Sequence, residues 1–191
     1  MPVYQGRSSN QTSEPRTIER LLDEWASSYS VGDAEMYTSV FSADFVFVPD
    51  ASERYLDSDL PHDWDRDYEV MCLAKFHGIA GVDTIDVHTA GISIVEPDSA
   101  DGDFASGVMK VSMWAHVQAG WVDPDTGEVW AGGGDGEQWL FVRENPDRVR
   151  AGEPMWEIFE WREKRDGFPR SPQIIPSWGY GRHYLAEHYG R

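Results

Sequence analysis

Cysteine is nearly absent from this sequence of 191 residues, in which Cys72 stands alone. One cysteine cannot form an intrachain disulfide, a thiolate zinc site or a CxxC redox pair. The histidines do not indicate a metal site either, because His77 and His88 have no partner at a metal-ligand spacing, and His183 and His188 lie five positions apart in the tail. The sequence therefore predicts no metal and no cofactor.

Basic side chains and long apolar runs are also scarce. The chain has 16 Lys and Arg against 34 Asp and Glu, a formal net charge of −18. Nucleic acids and anionic membranes are bound by clustered Lys and Arg, so the charge argues against both partners. No segment approaches the ~18 consecutive apolar residues of a membrane-spanning helix. We expect a soluble, cytoplasmic protein, whose acidity is compatible with salt adaptation or with a biased genome.

The chain divides into three parts. Residues 1–15 are polar and predict a flexible arm. Residues 16–166 contain enough apolar side chains for one ordinary core and predict a single domain. Residues 167–191 combine three prolines with several aromatic residues. We expect this tail to pack on the domain or on a partner subunit.

Helical periodicity dominates the first half of the domain. An apolar stripe beginning at Ile18 predicts a helix that ends at Gly32, and Asp33 can cap a second, short helix. A strand over 44–48 and a long loop over 49–64 follow. A third helix is then predicted, with Asp65 or Asp67 as its cap.

After about residue 83 the pattern has period two. Four long strands, predicted over 84–95, 106–122, 128–143 and 154–162, are separated by loops rich in Pro, Gly, Asp or Asn. Short links between long strands predict an antiparallel meander. The glycine run at 132–134 predicts a bulge or a sharp bend within the third of these strands.

This order of elements resembles the nuclear-transport-factor-2-like (NTF2-like) superfamily, which includes SnoaL-like proteins and ketosteroid isomerases. The resemblance covers roughly residues 16–163 and rests on the segments from Trp25 to Phe47 and from Trp156 to Trp161. It implies an α+β cone, in which a curved, mainly antiparallel (mixed) sheet wraps around three N-terminal helices. In this fold the open end of the cone is the usual pocket.

The resemblance to the steroid isomerases can be tested at three positions. Trp25 stands where their oxyanion-binding tyrosine is expected, and Pro49, followed by Asp50, stands at the position of their general base. Glu137, two residues before Trp139, matches their second oxyanion donor. One match in three argues against steroid isomerisation itself.

Glu137 is the principal candidate for chemistry. It alternates with Trp139 and Phe141 along one strand, so the three share a face. A carboxyl group against aromatic walls is suited to general acid or base catalysis. The alternative is that Glu137 lies at a solvated strand end or pairs with an arginine. His62 and Asp63 could form an acid/base pair over the cone, or be solvated loop residues.

The remaining pocket candidates are mostly aromatic. Their positions around the expected cone predict a site for a small apolar or aromatic molecule. They are Trp25, Tyr29, Tyr37, Phe41, Phe45, Trp139, Phe141 and Glu160.

Two functions remain open. The first is proton-transfer chemistry of the isomerase, lyase or cyclase kind, and the second is a non-catalytic ligand-binding or protein-interaction module. A homodimer is also predicted, because an apolar set on the opposite strand faces would be exposed in a monomer. That set is Leu140, Val142, Phe159 and Trp161.

Overall fold

The computed structural model describes residues 16–55, 58–79, 82–122, 129–164, 179, 181–183 and 187. Within these residues the chain forms three α-helices and six β-strands. They are α1 (Ile18–Val31), α2 (Ala34–Val40), β1 (Phe41–Val48), β2 (Trp64–Asp65), α3 (Arg66–His77), β3 (Val82–Val95), β4 (Met109–Val122), β5 (Val129–Arg150) and β6 (Glu153–Lys164), with a short 3-10 helix at Ala51–Tyr55. The predicted arm and most of the predicted tail lie outside the described residues, and the domain boundaries stay a prediction.

Side-chain caps fix where the helices begin. Thr17 caps α1, Asp33 accepts a hydrogen bond from the Met36 amide at 2.9 Å, and Asp65 accepts one from Tyr68 at 2.9 Å. Each cap satisfies an amide that has no partner inside its helix. Of the two caps predicted for the third helix, Asp65 is therefore the one used.

Gly32 ends α1 in the left-handed conformation, with φ of 69°. A Cβ at this position would meet the His77 ring at 2.7 Å. That ring is held by its Nε2, which lies 2.8 Å from the Tyr29 carbonyl oxygen. Glycine thus serves both the turn and the close approach of α3 to the end of α1.

The six strands form one mixed sheet in the order β2-β1-β6-β5-β4-β3. β3 to β6 make the predicted antiparallel meander, while β1 pairs with β6 in parallel. The predicted bulge at residues 132–134 is wrong, because β4 and β5 pair there without a register shift. The irregularities of β5 lie on its β6 side, between Phe141 and Val142 and between Asn145 and Val149.

The core lies between the helices and one face of the sheet. Trp25 of α1 meets Trp161 of β6 edge to face, with ring centroids 5.3 Å apart. Leu140 and Val142 of β5 belong to the same buried cluster. Because alternate residues of a strand point to opposite faces, Trp139 and Phe141 must lie on the outer face.

The outer face of β5 and β6 is covered by the loop between β3 and β4. Phe104 of this loop stacks on Phe141, with centroids 4.5 Å apart. Arg162 donates a hydrogen bond to the Asp101 carbonyl at 2.7 Å, and Lys110 forms an ion pair with the Asp101 carboxylate at 2.6 Å. This part of the outer face is therefore covered by the chain itself.

Candidate functional site

A buried carboxylate, Glu69, lies between α2, α3 and the β1–β2 edge of the sheet. The Tyr37 hydroxyl donates to Glu69 Oε1 at 2.6 Å, and the Trp64 indole N–H donates to Oε2 at 2.8 Å. A third donor is Nη1 of Arg182, which forms an ion pair with Oε1. We call these four residues the Glu69 cluster. Glu69 and Arg182 both have no solvent exposure.

Local sequence explains how α3 brings an acid inside. Glu69, Cys72 and Phe76 follow one another at intervals of three and four residues, so they share the buried face of the helix. The carboxylate is tolerated there because each of its oxygens has a bonded donor.

Burial and the Glu69 charge raise the pKa of Tyr37 well above its ordinary value. Its hydroxyl therefore keeps its proton and acts as a donor. Burial opposes the charged form of Arg182, but the charge of Glu69 together with the contributions of Tyr29, Tyr37 and Glu163 outweighs it and raises the pKa of the guanidinium. The guanidinium is therefore charged in the folded protein.

A second carboxylate, Glu163, lies near the end of β6 and is also buried. Its Oε1 accepts a hydrogen bond from Gln138 Nε2 at 3.2 Å, and its Oε2 accepts one from the Gly179 amide at 2.9 Å. Gln138 Oε1 in turn accepts from the Trp161 indole at 2.6 Å. This chain of bonds ties β5 and β6 to the C-terminal segment, by which we mean residues 179, 181–183 and 187.

A third set of contacts joins α3 to the same segment. The Tyr68 hydroxyl lies 2.8 Å from His183 Nδ1 and donates to Glu187 Oε1 at 3.1 Å. Nearby, burial and the charge of Glu69 raise the pKa of the Cys72 thiol to about 12. The C-terminal segment is thus bonded to α3 as well as to the sheet.

The sequence-based prediction placed Glu137 inside the cone, and this is wrong. Glu137 shares the outer face with Trp139, whose indole N–H donates to its carboxylate at 2.8 Å. Phe141 is buried, but under the β3–β4 loop rather than in the core cluster. The polar side chain that β5 directs inward is the neighbouring Gln138.

Glu160 is also on the outer side, in an ion pair with Arg162. A register shift between β5 and β6 puts it out of step with the buried Ile158. His62 and Asp63 are exposed at the surface. The residue of that loop which enters the interior is Trp64, which stacks on Phe47 with centroids 4.3 Å apart.

The other pocket candidates, on the helices and β1, are all buried within the core cluster. Tyr37 contacts both Tyr29 and Phe41 edge to face, at centroid distances of 5.5 Å and 4.9 Å. The full set is Trp25, Tyr29, Tyr37, Phe41 and Phe45. Whether they line a ligand site stays a prediction.

Sequence reasoning missed Glu69, Trp64, Glu163 and Arg182. Two signals were available. Glu69 is an acid on an otherwise apolar helix face, and Glu163 alternates with the buried Trp161 along β6. Arg182 gives no such signal, because 113 residues separate it from Glu69. In the described part of the chain, no group of three or more His, Cys, Asp or Glu side chains is arranged to hold a metal ion.

Comparisons with known proteins identify the fold. A protein of Novosphingobium aromaticivorans named "Putative Scytalone Dehydratase" is 15% identical, with 85% of this chain and 91% of that chain covered and a TM-score of 0.57. An NTF2-like superfamily protein of Salmonella enterica is 11% identical, with 83% and 94% covered and a TM-score of 0.54. ActVI-ORFA of Streptomyces coelicolor is 15% identical, with 78% and 94% covered and a TM-score of 0.52.

These likenesses confirm the α+β NTF2-like cone fold predicted from the sequence. No protein-family model matches the chain, and no curated protein matches it by sequence. Among the described residues, no helix has both the length and the apolar character needed to cross a bilayer.

Proposed function

We propose that the protein binds a small, largely apolar or aromatic molecule inside the cone and catalyses proton transfer on it, as an isomerase, lyase or cyclase does. The observation that carries this proposal is Glu69, a fully buried carboxylate among aromatic walls. It replaces Glu137 as the acid or base. The name of the Novosphingobium protein gives the dehydration of scytalone as that protein's reaction, and the name of the Salmonella protein gives only a fold.

Glu69 has the chemical features of a positioned base. The Tyr37 hydroxyl and the Trp64 indole hold its two oxygens in fixed directions. Such orientation lowers the cost of reaching the geometry of proton transfer. The bonded rings of Tyr37 and Trp64 pack on the buried rings of Phe41 and Phe47, so water is excluded and any charge interaction inside is strengthened.

The second candidate, a binding module without catalysis, is favoured by a different observation. Both Glu69 oxygens are already bonded, and Arg182 compensates the charge. An acid held this way can act structurally, to fasten the C-terminal segment. In that case a ligand would bind without any proton transfer.

Hydrogen–deuterium exchange at carbon separates the two functions. The protein is incubated in D2O with 1-tetralone, an aromatic ketone, and loss of the protons next to the carbonyl is followed by NMR. We expect exchange with the wild type and a fall of roughly 100-fold or more with Glu69→Gln. Asp67→Asn is the matched control, because Asp67 lies on the same helix and is 88% exposed.

Glu69→Gln exchanging as fast as the wild type, with both proteins folded by circular dichroism, would remove Glu69 as the base. Native mass spectrometry of the freshly purified protein adds a second readout. A carried-through small molecule without any exchange would favour the binding module.

We also propose that the protein forms a homodimer and is located in the cytoplasm. Leu140, Val142 and Trp161, which motivated the dimer prediction, are core residues, so their exposure cannot drive association. The exposed Trp114 of β4 lies on the outer face instead. Light scattering tests the homodimer, because a monomer of 21.7 kDa and a particle of twice that mass are readily distinguished.

A further inference from the structure

The Arg182 guanidinium lies in a site with the features of a cation receptor. Its central carbon lies 4.8 Å from the centre of the Phe47 ring and 4.5 Å from that of Trp161. Aromatic faces attract cations through their quadrupole, most strongly where water is excluded. Both rings are fully buried.

Two carboxylates complete the site. Glu69 bonds Nη1 of the guanidinium directly, while the negative charge of Glu163 also favours the charged guanidinium. Glu163 is 2% exposed, so little water screens this charge. We call Phe47, Glu69, Trp161 and Glu163 the cation site. Without Arg182, the cation site would keep both buried carboxylates but would lose a positive charge that compensates them.

Arg182 fits this site incompletely. Within the described residues, Nε and Nη2 of its guanidinium find no hydrogen-bond acceptor, although both atoms are buried. An unsatisfied buried donor costs free energy, because its bond to water has been given up without replacement. The site therefore recognises the charge and the flat shape of the cation more completely than it recognises arginine as a residue.

We propose that the cation site is a binding site for an organic cation of the guanidinium class and that Arg182 is its built-in occupant. This inference goes beyond proton transfer, because it concerns what the site binds. It is valid whether or not the protein catalyses a reaction. The net charge of −18 would also concentrate cations around the protein.

The test empties the site and refills it with a free ligand. Full-length Arg182→Ala is titrated with methylguanidinium chloride up to about 20 mM at constant ionic strength, far below denaturing concentrations, and thermal unfolding is recorded. We expect its Tm to lie below that of the wild type and to rise saturably with ligand. At ten times Kd the rise should be about 3–6 °C, whereas the wild type should not respond.

A double variant supplies the matched control. Glu69→Gln with Arg182→Ala removes both charges, so its Tm should not respond to methylguanidinium. Isothermal titration calorimetry on the same three proteins should show heat of binding only for Arg182→Ala. Equal responses of the wild type, the single variant and the double variant would overturn the proposal and make Arg182 a structural ion-pair partner.

A second variant keeps the test decisive if Arg182→Ala does not fold. Gly179→Ala obstructs docking of the C-terminal segment without substituting any residue of the cation site. We expect methylguanidinium to stabilise this variant saturably as well. A Tm that changes linearly with methylguanidinium concentration, to the same extent as in the wild type, would overturn the proposal. The readouts of this test are ligand binding and thermal stability. A negative result here is therefore distinguishable from a negative result in the proton-exchange assay.

Discussion

Gly179→Ala should release the C-terminal segment from the domain. A Cβ built on Gly179 would lie 2.5 Å from Glu163 Oε2 and 2.7 Å from Phe47 Cζ. The Phe47 ring is fully buried against Trp64 and Trp161, so it cannot move aside. The segment must move instead.

The size of the effect follows from the contacts that are lost. Overpacking a buried site costs about 1–3 kcal/mol, and a hydrogen bond to a charged group contributes about 1.5–3 kcal/mol. Displacing the Gly179 amide from Glu163 therefore weakens docking by roughly 3–5 kcal/mol. Arg182 then leaves its buried pair with Glu69 as well.

Urea denaturation and limited trypsin digestion measure the two consequences. We expect a lower free energy of unfolding and a smaller m-value, because the native state of the variant buries less surface. Trypsin should cleave after Arg182 in the variant and spare this residue in the wild type, where it is fully buried.

Gly181→Ala is the matched control. Gly181 lies two residues after Gly179, yet a Cβ added there meets no atom of the described residues within 4 Å. This variant should keep wild-type stability within about 0.5 kcal/mol and stay protected from trypsin. If Gly179→Ala behaved like Gly181→Ala in both assays, the segment would not be held by this contact and the reasoning would fail.

Three further outcomes are expected. Glu69→Gln leaves the buried Arg182 guanidinium without its carboxylate and should cost about 3–5 kcal/mol in urea denaturation, whereas exposed Asp67→Asn should change little. Burial opposes ionisation of Glu24, yet hydrogen bonding and charge from neighbouring arginines hold its pKa below 4.5. The free energy of unfolding should therefore fall as the pH drops below about 4.5, and it should fall less steeply in Glu24→Gln. Cys72 should resist iodoacetamide at pH 8 when folded and react in urea, since burial and the Glu69 charge raise its pKa to about 12; fast modification of the folded protein would contradict this.

The sequence was sufficient for the fold because its local signals agree with one another. Gly32, Asp33 and Asp65 each act at a helix end as predicted. The period-two segments after residue 83 all became strands. What local patterns could not give was the parallel pairing of β1 with β6, which joins residues more than a hundred positions apart.

The face of β5 could not be predicted because both of its faces are covered. Alternation distinguishes inside from outside only where one face is solvated. Here Leu140 packs in the core while Phe141 is buried under Phe104 of the β3–β4 loop. The face of β5 that packs on the core carries Gln138, Leu140 and Val142, so Glu137 lies outside, and the register shift between β5 and β6 turns Trp161 of β6 inward. Trp161→Glu should accordingly unfold the domain rather than separate subunits.

Arg182 links the two functions that the sequence left open. While it is docked, its charge compensates Glu69, and the site is closed by the protein's own cation. If a ligand or a variant removes it, Glu69 becomes a carboxylate among aromatic rings without its counter-charge. Such a carboxylate is released from its ion pair and can accept a proton from a substrate that lies against it. Binding of a free cation at the cation site and reactivity at Glu69 should therefore be coupled through one residue, because both should increase when Arg182 leaves the site.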